Sequence, residues 1–306
     1  MRAVLDIGTN SVRLLVAKVA KDTIEPYIQQ IRISRIGEDI DGSGELSAIG
    51  IRRTVKALGE LRAFIPPSIP VDVLATSAVR DGSNRQEFVD LIEKEFGWKI
   101  HVLSGLREAE LSFRGAVDSL CSLNLSAPFT VIDIGGGSTE IYTGLDGDSL
   151  LGGGSVQLGA VRMLERHITT HPVICKDRNA LEKEIEEILA PLIKSNLDFG
   201  PKTVIAVGGT ATSLAAIAQE LTVFDLKRIV GYSLSLERLR EIYINLGKLD
   251  LDERSLIAGM QKGREDIIVA GAAILVKAME LLNISQLKTS VGDLLYGWLA
   301  FYVDEG

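Results

Sequence analysis

The sequence is poor in cysteine and has no long apolar run. Its two cysteines, Cys121 and Cys175, show no ligand spacing. This argues against a disulfide framework or a cysteine-built zinc site and fits a reducing, cytoplasmic setting. The most apolar stretch, "IIVAGAAILV" from Ile267 to Val276, falls short of a bilayer span and reads as a buried helix, so no membrane partner is expected. The amino-terminal "MRAVLDIGTN" reaches Asp6 too early for a secretory signal. Positive charge is also in deficit. A formal net charge of −8 argues against general nucleic-acid binding, although a local group of arginines could still hold a polyanion. GxxxxGK[ST] is missing, so this is not a P-loop, and no GxGxxG follows the first strand, which counts against a dinucleotide site. No Ser-His-Asp arrangement is evident, and His101, His167 and His171 lie outside the motifs described below.

What the sequence does contain is repetition. "RAVLDIGTNSVRLLVAKV" (Arg2 to Val19) and "FTVIDIGGGSTEIYTGL" (Phe129 to Leu145) share one plan: an apolar strand, Asp-Ile-Gly, a small polar turn and a second apolar strand. Asp6 and Asp133 lie about one domain length apart, so the pair suggests a duplicated fold with a site between its halves. A third strand, "KTVIAVGG", ends in Gly208 and Gly209 before the helix "TSLAAIAQEL". Helical periodicity is legible elsewhere. Phe88, Leu91, Ile92 and Phe96 share a face, with Asn84 and Glu87 as a capping box and Gly97 as the stop. Ser104 caps a helix that carries Leu106, Ala109, Phe113, Ala116 and Leu120 inward. "VDVLATSAVR" reads as a strand running into a loop. Leu181 to Leu192 and Ser235 to Leu246 are amphipathic, and "REDIIVAGAAILVKAMELL" is a central helix. Strands and helices alternate throughout, so the class is α/β. The 306 residues accommodate two domains, 1–124 and 125–306, with the seam in "SLNLSAPF" and a last helix, about 285–306, expected to pack back on the first domain.

The two turns, Gly8, Thr9, Asn10, Ser11 and Gly135, Gly136, Gly137, Ser138, are rich in residues without bulk. Such turns let successive amides approach phosphate oxygens, and hydroxyls of Thr9, Ser11, Ser138 and Thr139 could add donors. The plainer alternative is a pair of tight hairpin turns. Asp6 and Asp133 would repel phosphate unless a divalent cation intervened, and magnesium prefers carboxylate, water and phosphate oxygens. Gly208, Gly209 and Thr210 form a third candidate phosphate turn, whose alternative is close strand-to-helix packing.

These residues carry a resemblance. "DIGTNS", "ATSAVRDGSN", "LSGLREAELSFRG", "VIDIGGGSTE", "LGAVRMLE", "AVGGTATSLAA" and "DIIVAGAAIL" resemble, in order, the motifs of the exopolyphosphatase and guanosine pentaphosphate phosphohydrolase family. That family belongs to the actin, hexokinase and heat-shock-chaperone ATPase superfamily. The resemblance implies two ribonuclease-H-like domains of duplicated plan, with an interdomain cleft and the phosphate turns at its floor. It implies magnesium-dependent release of terminal phosphate from inorganic polyphosphate, or hydrolysis of guanosine pentaphosphate. Glu108 matches the family's catalytic glutamate, which positions or deprotonates the attacking water; the alternatives are a solvated carboxylate and the neighbouring Glu110. Asp133 and Glu140 match acids at the metal, Asp6 a water-mediated metal partner, and Gly135 and Gly137 phosphate-contacting glycines. Glu140 has a rival reading as an outward residue of its strand. Arg80 matches an arginine facing the phosphate chain, and Arg162 is a further candidate of that kind.

The chain matches the short form of the family, which puts processivity on long polyphosphate in doubt. A second copy of the chain is a candidate partner. Val230 stands where the family often has histidine, and "DLLYG" replaces "GLREG", so that Leu295 and Tyr296 take the places of arginine and glutamate. These losses of polarity keep a second function in view: a polyphosphate- or alarmone-binding sensor with little turnover. A small-molecule kinase of the same superfamily is a third, but no acidic motif for a sugar hydroxyl is found.

Overall fold

A computed structural model describes residues 1–20 and 23–304; residues 305 and 306, the end of the second expected domain, lie outside the described residues. The chain forms two compact units, one of Met1–Leu111 with the residues from Leu294 onward, the other of Ser112–Asp293. The sequence puts the seam at 124/125, whereas this division falls inside helix Gly105–Asp118. The segment from about 285 is shared out: Gln286–Thr289 are a strand of the second unit, and helix Leu294–Asp304 groups with the first.

The first unit is built on β1 (Arg2–Ile7), β2 (Ser11–Ala20), β3 (Thr23–Ile33), β4 (Val71–Ala75) and β5 (Ile100–Val102), in the sheet order β3-β2-β1-β4-β5. The first three strands form an antiparallel meander, and β4 and β5 continue in parallel. The second unit has β6 (Phe129–Ile134), β7 (Thr139–Gly144), β8 (Leu150–Val156), β9 (Thr203–Val207), β10 (Ser233–Ser235) and β11 (Gln286–Thr289), in the order β10-β11-β9-β6-β7-β8. Apart from β10, this repeats the first sheet strand for strand, with β6, β7 and β8 as the meander and β9 and β11 in parallel. The duplication read from two hairpins therefore extends to whole sheets.

Both faces of β1 are covered, which is why it reads as one apolar run. Ala3, Leu5 and Ile7 pack with Leu58, Leu61 and Ile92, while Val4 packs on the opposite face with Leu74, Leu294, Leu295 and Leu299. Strand alternation puts Asp6 on the Val4 face. Leu295 is 6% exposed, so its apolar character suits its position. Tyr296 instead accepts a hydrogen bond from Gln29 Nε2 at 2.7 Å, and Val230 follows the short helix Leu226–Ile229. In the second unit, helix Ile268–Leu281 is buried nearly all round, as its composition predicts, and packs with Ile132, Ile134, Leu181, Ile185 and Leu189.

Several local expectations are corrected. Asn84 does not close a capping box; its side chain accepts from Leu46 N at 2.8 Å and donates to Leu46 O at 3.0 Å. Leu91 and Leu106 are exposed rather than inward, because the neighbouring turns of their helices carry the packing. The stretch after β4 is a short helix, Ser77–Asp81, rather than a loop. Ser104 and Gly97 act as the sequence suggests: Ser104 Oγ accepts from Arg107 N at 3.2 Å, and Gly97 ends its helix at φ 71°. Among the described residues no helix is long and apolar enough to cross a membrane.

One buried group makes stability depend on pH. Arg254, fully buried, donates to Leu246 O at 2.8 Å and Glu265 O at 3.0 Å, and its Nη1 lies 3.0 Å from His171 Nδ1. Since arginine can only donate, that His171 nitrogen must accept, which requires the neutral ring. Burial first, and the Arg254 charge second, hold the His171 pKa below its ordinary value, against an opposing effect of Asp266. On acidification the unfolded chain takes up this proton before the folded one, so protonation favours unfolding. Thermal stability is expected to fall as pH drops below about 6.5, with a shallower decline in His171→Gln. Melting curves between pH 7.5 and 5.5 would check it; equal slopes for the two proteins would refute the assignment.

Candidate functional site

The turn between β6 and β7 is held from behind. Gly135 N donates to Ser138 O at 3.0 Å, closing the hairpin. The carbonyl of Gly135 accepts from Ala160 N at 2.9 Å, and that of Gly136 from Val161 N at 2.9 Å and Arg162 N at 3.2 Å. The Gly137 carbonyl accepts from Arg162 Nε at 2.8 Å. The carbonyl and N–H of a trans peptide point in opposite directions. With these three carbonyls turned toward helix Ala160–His167, the amides of Gly136, Gly137 and Ser138 are turned away from it. Among the described residues none of these amides has a protein acceptor. Such a row of amides is an anion-binding concavity. Gly159 permits the arrangement: a Cβ there would collide with Gly136 C and O and Gly137 N.

The turn between β1 and β2 is backed in the same way by a different segment. Gly8 N donates to Ser11 O at 3.0 Å. The Thr9 carbonyl accepts from Gly37 N at 3.1 Å, and the Asn10 carbonyl from Ser34 N at 3.1 Å and Arg35 N at 2.9 Å. A side chain on Gly37 would collide with Thr9 Cγ2. Thr9, Asn10, Ser11 and Ser138 are all buried. Thr139, a hydroxyl expected to serve the site, instead donates to Leu158 O at 2.5 Å.

The two hairpins differ in what faces their aspartates. Asp6 is in register with Arg13, whose Nε and Nη2 donate to Asp6 Oδ2 at 3.0 and 2.7 Å. Asp133 is in register with Glu140. Directly opposed residues of antiparallel strands share a face, and like charges there are destabilising. Each carboxylate has further interactions of its own, and a divalent cation placed at the pair would be attracted by both. Magnesium is commonly held by one or two carboxylates together with water and phosphate oxygens, so this donor set fits it. Among the described residues, no group of three or more acidic, histidine or cysteine side chains is arranged to hold a metal. Ser112 Oγ donates to Asp133 Oδ2 at 2.7 Å, and Ser155 Oγ to Glu140 Oε1 at 2.6 Å. Glu140 is 3% exposed, which rules out its reading as an outward residue.

Glu108, in the first turn of helix Gly105–Asp118, is also buried. Its Oε2 accepts from Arg80 Nη1 at 2.8 Å, and the same nitrogen donates to Leu103 O at 3.0 Å. Arg80 thus engages the candidate catalytic carboxylate. Glu110, the competing acid, pairs with Arg107 at the surface and is more exposed. Arg162, the weaker candidate for facing phosphate, donates through Nε to Gly137 O and through Nη2 to Gln157 Oε1 at 2.6 Å. Burial, with a smaller effect of Arg166, lowers its pKa from the ordinary value, though a guanidinium keeps its proton in proteins.

Gly208 and Gly209 make room for charged side chains of the protein itself. A Cβ on Gly208, which has φ 82°, would lie 2.6 Å from Asp133 Oδ1, and one on Gly209 would coincide with the Arg264 guanidinium. Thr210 packs against Gly271 of the buried helix, so its side chain does not join the turn. Arg264, Ser112 and Gly159 were missed from the sequence. Ser112 had a signal: it is a polar residue, 1% exposed, between the core residues Leu111 and Phe113.

Residues 15–300 match the Ppx/GppA phosphatase family. Exopolyphosphatase 2 of Mycobacterium tuberculosis is 34% identical over 96% of both chains. A guanosine-5'-triphosphate,3'-diphosphate pyrophosphatase of Aliivibrio fischeri is 27% identical over 100% of this chain and 60% of its own length. An exopolyphosphatase structure from Cytophaga hutchinsonii matches with a TM-score of 0.88 at 27% identity, covering 99% of this chain and 97% of that one.

Proposed function

We propose, because the chain belongs to the Ppx/GppA phosphatase family, that it hydrolyses the terminal phosphoanhydride bond of inorganic polyphosphate or of guanosine pentaphosphate. The observation that carries this reading is the outward row of Gly136, Gly137 and Ser138 amides beside the facing carboxylates Asp133 and Glu140. Such an arrangement suits a phosphate accompanied by a divalent cation and has little use for a neutral ligand.

Phosphoryl transfer passes through a loose, highly charged transition state, so the protein's work is positioning and charge compensation. In this reading the amides of the second turn hold the terminal phosphate, and the first turn offers phosphate oxygens donors of the same kind. Glu108, fixed by Arg80, orients a water in line with the scissile bond and accepts its proton. The water oxygen bonds to the terminal phosphorus as the bond to the bridging oxygen breaks, releasing phosphate and a chain shorter by one unit. Asp133 and Glu140 would hold magnesium, which when bound offsets charge on the phosphate oxygens. Ser112 and Ser155 keep each carboxylate oriented.

The test is phosphate release, with magnesium, from long polyphosphate, tripolyphosphate and guanosine pentaphosphate. Release from at least one is expected. Binding of all three with release from none would replace the hydrolase reading with a sensor.

A further inference from the structure

The backing of the second turn contains one bond unlike the others. The Gly135 and Gly136 carbonyls are held by backbone amides, which any residue except proline would supply. The Gly137 carbonyl is held by a side chain, Arg162 Nε. We infer that Arg162 is a positioning residue for phosphate binding: it fixes the Gly137–Ser138 peptide so that the Ser138 amide faces the ligand. The inference rests on reading this turn as a phosphate site.

The local geometry supports the assignment. Arg162 is 8% exposed, and its planar fork divides between Gly137 O at 2.8 Å and Gln157 Oε1 at 2.6 Å. Two bonds in one plane fix the guanidinium's orientation as well as its position, which an ammonium cannot do. Releasing the Gly137 carbonyl would let its peptide rotate and turn the Ser138 N–H from its outward direction. The buried positive charge lies on the carbonyl side of that peptide and so favours an anion on the amide side. In the first turn the Thr9 and Asn10 carbonyls accept instead from the backbone amides of Gly37, Ser34 and Arg35. Arg162 therefore acts on affinity through the turn.

Arg162→Gln and Arg162→Lys separate this role from general support of the fold. Tripolyphosphate binding is measured by calorimetry with magnesium, alongside steady-state phosphate release, melting temperature and the 15N–1H resonance of Ser138. Arg162→Gln is expected to weaken tripolyphosphate binding about tenfold or more, to raise KM more than it lowers kcat, and to shift the Ser138 resonance. Arg162→Lys, which keeps charge but not the fork, should fall between. Arg166→Gln, at the exposed pair with Glu184, should match wild type in affinity. Unchanged affinity and KM in folded Arg162→Gln would overturn the inference, as would a loss confined to kcat. If Arg162→Gln does not fold, Arg162→Lys gives the same reading. A wild-type protein that binds tripolyphosphate but releases no phosphate would sink the hydrolase reading alone, because the binding comparison still reports on Arg162.

Discussion

Glu108→Ala is expected to lower kcat by about 10²–10⁴-fold, the range a positioned general base contributes, while substrate affinity stays within a few-fold. The reason is the division of labour between the elements. In the proposed reading the turn amides hold phosphate, and Glu108, in the first turn of helix Gly105–Asp118, is left to act on the water. Its carboxylate touches Arg80 at 2.8 Å, so truncation also removes an acceptor from that guanidinium. Glu108→Gln controls for this: it keeps an oxygen for Arg80 Nη1 but cannot take a proton. Equal losses in the two variants would assign the effect to proton transfer. A mild loss in Glu108→Gln alone would mean the carboxylate chiefly orients water. Single-turnover phosphate release and tripolyphosphate calorimetry check both, and undiminished release by Glu108→Ala would end the assignment.

Gly159→Ala should be nearly as damaging, with one methyl group and no change of charge. Gly159 has φ −135° and ψ 164°, an extended conformation that alanine adopts without strain. The obstacle is the collision of a Cβ with Gly136 C and O and Gly137 N. These are backbone atoms in a turn tied at Gly135, Gly136 and Gly137, so they cannot rotate out of the way as a side chain would. The turn must shift by about an ångström, which typically costs on the order of 10²-fold in rate, with overpacking adding roughly 1–3 kcal/mol of instability. Phosphate release and chemical denaturation of the same preparation separate the two. A variant with wild-type KM and kcat would show that the turn tolerates displacement and would weaken the role given to its amides.

Local features were legible in the sequence to the extent that local physics determines them. The Asp-Ile-Gly hairpins, the buried helix Ile268–Leu281 and the Ser104 cap depend on neighbours a few residues away, so periodicity and turn chemistry report them. Asn84 has the right residue type for a cap, but Leu46 offers its side chain better partners. Leu91 and Leu106 fit a helical stripe yet lie outside what the sheet covers. The carboxylates and turns of the candidate site were legible as types. What holds them was not: Arg162 and Ala160 reach the second turn from beyond β8, Gly37 reaches the first from beyond β3, and Ser112 reaches Asp133 from a preceding helix. Those contacts depend on the paths of intervening strands, which no window of sequence contains. The motif resemblance offered Arg162 as a weaker candidate for facing phosphate, and a motif does not say on which side of a peptide plane its charge will lie.

The backing of the turns changes what counts as a transferable part. A designer grafting "DIGGGSTE" onto another hairpin would carry over the outline of the site without the struts that orient it. The smallest segment holding both turn and struts runs from Phe129 to His167, through β6, β7, β8 and the helix that follows. For the first turn the corresponding segment runs from Arg2 to Gly37. Each is a strand meander whose chain comes back to brace its own opening bend, a self-supporting arch rather than a loop placed on a scaffold.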